Sequence, residues 1–314
     1  MNHVAYCIDK NYLQHFSASL TSLLINYSKP SDDLCVHIVT SDSDEAFESV
    51  IVHFRNTYRA TFIVHNIPPA YLIQLENAPV KTEKIQHVTI VSYFRLFLGD
   101  ILPAEIDKVV YLDSDTIILS SIHDLIDTDL GTAVIAGVPD LHESDCIAHA
   151  GTKRYINTGA LLLDLSQWRT RDCTNRCLHY INSPDNRIRY LDQCTINIAL
   201  ENEITIIEDI WNNQIHMGKT QVAITDDRIL HFVTPNKPWH AWYDHPFAKY
   251  YWRYLECTPF KDTPPVKPSN LPQAWSLARQ LYNQKKYAES VAIYDDITSK
   301  FYQQSINRIN NISE

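Results

Sequence analysis

The sequence predicts an α/β protein: one Rossmann-like domain with a mainly parallel, doubly wound sheet, followed by a helical appendage. Three features predict it. The first 65 residues alternate strand, helix, strand, helix, strand. A β-branched apolar run from Val109 to Leu119 is interrupted by two aspartates. Four prolines fall within residues 264–272. Successive βαβ units with right-handed crossovers build a parallel sheet covered on both faces, and a proline-dense stretch makes a stiff linker.

Taken in order, residues 3–9 read as the first strand. Asn11 to Tyr27 reads as a helix, with Phe16, Leu20, Leu23 and Leu24 at helical spacing. Cys35 to Thr40 is a second strand, Asp42 to Tyr58 a second helix and Ala60 to His65 a third strand. Val91 to Leu98 reads as a helix, and Val109 to Leu112 as a buried parallel strand. Further strands are expected at Ala133–Val138, Gly159–Leu165, Ile204–Ile207 and Ile229–Val233, with helices at Trp168–Ile181 and Gln193–Leu200. Residues 1–262 make the main domain and 263–272 the linker. Residues 273–314 form a helical hairpin and tail, whose spacing resembles one tetratricopeptide repeat. Ala274, Leu277, Ala278 and Leu281 are expected on one helix face, and Tyr287, Ala288, Val291, Ala292 and Tyr294 on the next. A single repeat cannot bury its own faces, so the hairpin is expected to pack on the main domain or on a second copy of the chain.

Bulk properties narrow the function. At 45% hydrophobic and 20% charged, the 314-residue chain reads as globular rather than disordered. A net charge of −10 argues against nucleic acid, whose phosphates need a basic face. The start of the chain carries no basic region followed by an apolar core, so no signal peptide is expected, and no run of about 18 apolar residues suggests a membrane span. Residues 261–314 hold seven Lys/Arg and five Asp/Glu, too balanced for a strong electrostatic membrane anchor. Seven scattered cysteines read as reduced thiols in a cytoplasmic protein. Among six glycines there is no Gly-x-Gly-x-x-Gly and no phosphate loop, which disfavours hydride transfer and P-loop phosphotransfer.

Asp113 and Asp115 carry the strongest chemical signal. They fall at the C-terminal end of a predicted parallel strand, where open α/β sheets place ligands. Residues i and i+2 point the same way along a strand. Two adjacent carboxylates repel, and a divalent cation that keeps open positions for diphosphate oxygens relieves that repulsion. A polar turn after a core strand is the plain alternative. Other polar groups also sit at apparent strand ends: Ile8-Asp9-Lys10-Asn11, the segment from His87 to Arg95, Tyr155-Ile156-Asn157-Thr158-Gly159, Tyr190-Leu191-Asp192-Gln193, and His231 to His240. Singly, Asn157 suits a turn, Asp192 a helix N-cap, Arg95 a buried acid's partner and His231 a satisfied core histidine.

Together, Tyr-Leu-Asp-x-Asp, Asn-x-Gly, Tyr-x-Asp-Gln and His-(x)5-Lys-Pro-Trp-His, in that order over residues 3–262, resemble glycosyltransferase family 8. The stretch from Tyr243 to Asp262 is similar to the lipopolysaccharide core glucosyl- and galactosyltransferases of Gram-negative bacteria. The resemblance implies a GT-A domain and a retaining, metal-dependent hexosyltransferase. Its donor would be UDP-glucose or UDP-galactose, its ion Mn2+ or Mg2+, and its acceptor a glycan or lipid-linked oligosaccharide. Asp113, Asp115 and His231 would hold the metal and Lys237 the diphosphate. Asp9, Asn11, His87, Val88 and Ser114 would meet the nucleoside, with Arg95, Asp140, Asn157, Asp192 and Gln193 around the sugar. Gln193, Asp192 and Asp140 would be the catalytic set. The resemblance further implies peripheral contact with the inner membrane, while the hairpin is a candidate dimerisation element. A self-glycosylating primer enzyme or a catalytically silent binding protein would share the same fold. Two positions depart from the pattern. Cys194 stands where many relatives carry a second aspartate, and Thr234 where a glycine often lets the backbone approach the diphosphate.

Overall fold

The computed structural model describes residues 1–28, 33–41, 43–76, 90–184, 187–218 and 228–312. His87 and Val88 lie outside the described residues. The chain opens with β1 (Asn2–Cys7), α1 (Leu13–Asn26), β2 (Leu34–Thr40), α2 (Glu45–Thr57), β3 (Thr61–Asn66) and α3 (Pro69–Glu76). It continues through α4 (Leu98–Ile101), β4 (Lys108–Leu112), β5 (Thr116–Ile118), α5 (His123–Ile126), β6 (Ile135–Pro139), α6 (Glu143–Ala150) and β7 (Ile156–Asp164). Then follow α7 (Leu165–Thr170), α8 (Cys173–Asn182), α9 (Leu191–Ala199), β8 (Ile204–Ile206), β9 (Asn213–Ile215), β10 (Ile229–Phe232) and three helices, α10 (Ala248–Leu255), α11 (Leu271–Asn283) and α12 (Tyr287–Ile312).

Seven strands form the central sheet in the order β3-β2-β1-β4-β7-β6-β8. All pairings are parallel except those of β7, which runs against β4 and β6. Strand β1 is flanked by β2 on one side and β4 on the other, so the winding reverses between β1 and β4. A crevice opens there beyond the carboxyl ends of the strands. Alternation along β1 divides the core. Val4 and Tyr6 face the layer built on α1 and α2, while Ala5 and Cys7 face the opposite layer with Phe94, Phe97 and Trp168. Each fully buried apolar side chain of this size contributes about 1.5–3 kcal/mol. The second apolar run, after the aspartates, leaves the large sheet. It forms β5 of a small sheet ordered β5-β10-β9.

Three expectations need correction. Trp168–Ile181 is two helices, broken at Asp172, whose φ is 54°. Asp164 caps α7 early by accepting from Gln167 N, and the Trp168 Nε1–H donates to Thr174 Oγ1 across the break. The predicted α-helix at Val91–Leu98 is a 3-10 segment over Ile90–Phe97. On α12, Tyr287, Ala288, Val291 and Ala292 are exposed; Ser290, Ile293, Tyr294 and Ile297 form the covered stripe. Ser290 Oγ donates to Ala278 O, and the Tyr294 ring meets Trp275 edge-on at 5.2 Å. The linker is tied to the domain at Val266, which bonds to Trp239 and Ala241 through its backbone. No helix among the described residues is long and apolar enough to cross a membrane.

The aromatic segment Tyr243–Asp262 holds α10, which packs on α1. Asn26 Nδ2 donates to the Tyr254 hydroxyl, and the His15 ring stacks on Trp239 at 3.5 Å with Nδ1 2.9 Å from the Tyr251 hydroxyl. Burial lowers the pKa of His15 to about 3, so the folded protein holds a neutral ring. The unfolded chain protonates it below about pH 6.5. This contribution to stability is complete above that pH and lost as pH falls towards 3. Urea unfolding followed across that range should show stability falling with acid, and His15→Gln should make the fall shallower by up to one proton. An unchanged slope would show that the ring is already solvated in the fold.

Candidate functional site

A cavity of about 450 Å³ opens at the β1/β4 switch point, within the usual range for small-ligand sites. Its lining includes Asp9, Tyr12, Ser92, Arg95, Asp113, Ser114, Asp115, Asp140, Asn157, Asp192, Gln193, His231, Thr234 and Lys237. Asn11 is exposed and is not among the lining residues; its backbone N–H donates to Asp9 Oδ1, as does that of Tyr12.

The metal-type ligands meet through strand register. β10 pairs antiparallel with β5, with His231 opposite Thr116, and Phe232 N donates to Asp115 O. One ligand atom each from Asp113, Asp115 and His231 lies within 4.8 Å of the other two. His231 Nε2 stands 3.2 Å from Asp115 Oδ1, a buried oxygen without a hydrogen bond. A chain of amides explains why. Gly159 N–H donates to Asn157 Oδ1, which also accepts from Asn212 Nδ2. Asn212 Oδ1 therefore faces His231 Nδ1, 3.0 Å away, and takes its proton. Nε2 is left bare, aimed at a bare carboxylate oxygen. That is the tautomer a metal ligand needs, and a cation between the two atoms satisfies both. The donor set of two carboxylates and one imidazole suits Mn2+ or Mg2+ with open positions.

Two cations balance the acids. Lys237 Nζ donates to Asp115 Oδ2 at 2.6 Å and to Phe232 O. Burial raises the Asp115 pKa, but the Lys237 ammonium outweighs it and holds the carboxyl well below its usual range. Arg95 bonds to Asp113 Oδ1 at 2.8 Å and Thr158 O, and lies 3.2 Å from Asp192 Oδ2. Burial dominates at Asp192 and leaves its pKa raised despite Arg95. Asp192 accepts from Thr158 Oγ1 rather than capping its helix. Among the residues expected around the sugar, Asp140 Oδ2 accepts from Asn157 Nδ2 and Gln193 Nε2, while Gln193 Oε1 accepts from Thr158 N.

Both departures have structural explanations. Cys194 is fully buried outside the cavity lining, where Sγ accepts from Tyr190 N and contacts the Tyr155 hydroxyl. Thr234 lines the cavity with φ 78°, a left-handed conformation that a β-branched residue adopts only under strain. Asn212, Tyr12 and Ser92 escaped the sequence reading. Asn212 lies within an unpatterned Trp-Asn-Asn stretch, and no spacing marks it.

Comparison with known proteins places these features. The family model described as "Glycosyl transferase family 8" matches residues 3–243. A lipopolysaccharide 1,3-galactosyltransferase of Salmonella typhimurium is 28% identical over 93% of this chain and 89% of that protein. A lipopolysaccharide 1,2-glucosyltransferase of Escherichia coli is 27% identical over 84% and 80%. The crystal structure of the galactosyltransferase LgtC, in complex with donor and acceptor sugar analogues, superposes with a TM-score of 0.71 over 82% of this chain and 96% of that one, at 21% identity; this likeness is one of fold.

A Cβ on Gly159 would fall inside the His231 imidazole. Gly159→Ala should therefore displace the ring and abolish high-affinity Mn2+ binding. Asn212→Ala, which removes only the tautomer partner, should weaken it about 10–100-fold. Calorimetric Mn2+ titration of folded variants reads both, and full affinity in Gly159→Ala would exclude His231 as a ligand. Thr234→Gly should raise unfolding free energy by about 1 kcal/mol through released strain, measured by urea denaturation.

Proposed function

The chain belongs to glycosyl transferase family 8, and on that premise we propose that it is a retaining, metal-dependent hexosyltransferase. It moves glucose or galactose from a UDP-sugar to a glycan acceptor of the lipopolysaccharide core. The lipopolysaccharide galactosyl- and glucosyltransferases among its relatives support the hexosyl donor and the acceptor class. The observation that carries the reading is the bare Asp115 Oδ1 facing a bare His231 Nε2, with Asp113 beside them and Lys237 behind.

A bound Mn2+ or Mg2+ would act as a Lewis acid that stabilises charge on the departing diphosphate. The chain's own groups do the rest. Lys237, already poised on Asp115, supplies a second positive charge for that leaving group. Asp9 and Ser114 lie at the ends of β1 and β4, where a nucleoside would enter. Arg95 holds Asp113 and Asp192 in fixed orientations. Asp140 and Asn157 present the polar rim for sugar hydroxyls, and discrimination at one hydroxyl depends on which of these groups reaches it.

Retention requires either a covalent intermediate or attack on the face the leaving group departs from. Gln193 has both ends of its amide engaged, Nε2 to Asp140 and Oε1 to Thr158 N. Asp192 is buried and paired with Arg95. These engagements count against either as nucleophile. They support front-face substitution, with a diphosphate oxygen taking the acceptor hydroxyl's proton. The free thiols, six of seven buried, and a nucleotide-sugar donor fit a cytoplasmic site of action. A lipid-linked acceptor would bring the protein to the inner membrane face.

UDP release should be measured across a panel of UDP-sugars with Mn2+ and with EDTA. One donor should turn over with metal only, and Asp115→Ala should lower its rate by at least about 100-fold, in line with losing a charge-stabilising group. Turnover of that donor unaffected by EDTA and by the substitution would sink the metal-dependent reading. A glycosyl adduct on Gln193 or Asp192, detected by intact mass, would overturn front-face attack.

A further inference from the structure

A second group of ligand-type side chains lies on the central sheet, away from the cavity. It comprises His3 on β1, Cys35 and His37 on β2, and His65 on β3. Register places His3 beside Cys35, and His37 two residues further along the same strand face. His3 Nδ1 faces His37 Nε2 at 3.0 Å, and His37 Nδ1 faces His65 Nε2 at 2.9 Å. Cys35 and His37 are buried, at 2% and 0% exposure, and His3 is half-buried at the edge. One ligand atom from each of His3, Cys35 and His37 lies within 4.8 Å of the other two.

We propose that His3, Cys35 and His37 form a Zn2+ site that staples β1 to β2, with His65 fixing the tautomer of His37. Two imidazoles and a thiolate are the borderline-soft donor set that Zn2+ selects over Mg2+ or Mn2+. A tetrahedral Zn2+ at about 2.0–2.1 Å from nitrogen and about 2.3 Å from sulfur keeps its ligand atoms about 3.3–3.7 Å apart. The His3–His37 pair thus needs to open only by a few tenths of an ångström. The exchange balances simply. The Cys35 S–H bond breaks, a Zn–S bond forms and the proton leaves to solvent. Each ring keeps one proton, His37 on Nδ1 towards His65 and His3 on Nε2. The His37 Nδ1–H donating to His65 is the orienting bond that metal-ligating histidines commonly make. A fourth position stays open at the half-buried edge. The family reaction uses none of these groups.

The test uses the full chain carrying Asp115→Ala, which disables the first metal site, and Co2+ as a spectroscopic stand-in for Zn2+. Titration should raise a thiolate-to-cobalt charge-transfer band that saturates at one equivalent and is discharged by Zn2+. The ligand set of the first site, Asp113, Asp115 and His231, contains no thiol, so it cannot produce this band. Adding Cys35→Ala should abolish it. His3→Gln, at the half-buried edge, serves as a second variant should Cys35→Ala misfold by circular dichroism, and it should weaken Co2+ binding at least 10-fold. Zn2+ should also raise the thermal midpoint of the Asp115→Ala protein but not of Asp115→Ala/Cys35→Ala. Absence of the band, its persistence without Cys35, or equal thermal shifts in the two proteins would overturn the proposal.

Discussion

Among the described residues, five aspartates line one cavity (Asp9, Asp113, Asp115, Asp140 and Asp192), opposed by two cations, Arg95 and Lys237. This imbalance governs the site. Two unit charges 4 Å apart interact by about 4 kcal/mol at an effective dielectric of 20, so acids this close must be paired, hydrogen-bonded or metal-bound. Arg95 serves two of them, and Asp140 is held by Asn157, Gln193 and the His142 backbone. Removing one partner of such a buried pair typically costs about 3–5 kcal/mol. Asp115 has Lys237 on one oxygen and nothing but the bare His231 nitrogen on the other. A diphosphate entering this cavity would add more negative charge. On the proposed reading, donor binding and cation binding would be coupled electrostatically, because the cation offsets the charge that the diphosphate adds.

Topology makes this concentration of charge affordable to the fold. The reversal of winding between β1 and β4 leaves the strand ends open, so Asp9 and Asp113 lie at the mouth of the crevice rather than within either apolar layer. The chain then leaves the large sheet at Asp113–Asp115 and enters β5, whose pairing with β10 carries His231 back beside Asp115. The antiparallel insertion of β7 brings Gly159 against the same point, where Asp113 N donates to Gly159 O. A change of one residue in the β5–β10 register would turn His231 to the other face. The proposed metal ligands thus depend on strand pairing as much as on their own identities.

How far the sequence reveals this architecture depends on the range of the interaction. Strands β2 and β4 were legible because burial on both faces writes runs rich in β-branched residues, and Asp113 and Asp115 because they interrupt such a run. The helix break at Asp172 was not legible, since a single left-handed residue leaves no periodic trace. The covered stripe of α12 was misplaced because an exposed aromatic such as Tyr287 looks the same in a pattern as a buried one. At the site, the ordered motifs marked the cavity's main residues. Whether Cys194 lined it could not be read from neighbours in sequence; its burial against Tyr155 is a tertiary fact. Asn212 was illegible for the same reason, since its role consists entirely of contacts with residues distant in the chain.

Asn212 also shows why the sugar side and the metal side cannot be treated as separate. Asn157 donates through Nδ2 to Asp140, which holds Gln193, and accepts through Oδ1 from Asn212, which sets the proton on His231. An amide has fixed donor and acceptor ends. If Asn157 turned over, its NH2 would face the donors of Asn212 and Gly159. Asn212 would then have to turn as well, presenting an NH2 to His231 and forcing the ring proton onto Nε2, where the metal should bind. The orientation of one side chain at the sugar rim is thereby linked to the protonation of a ligand on the far side of the cavity. The backbone N–H of Gly159 fixes that orientation, and the same glycine leaves the space that the His231 ring occupies. The Asn-x-Gly motif is therefore tied to the proposed metal ligands as well as to the residues proposed for the sugar.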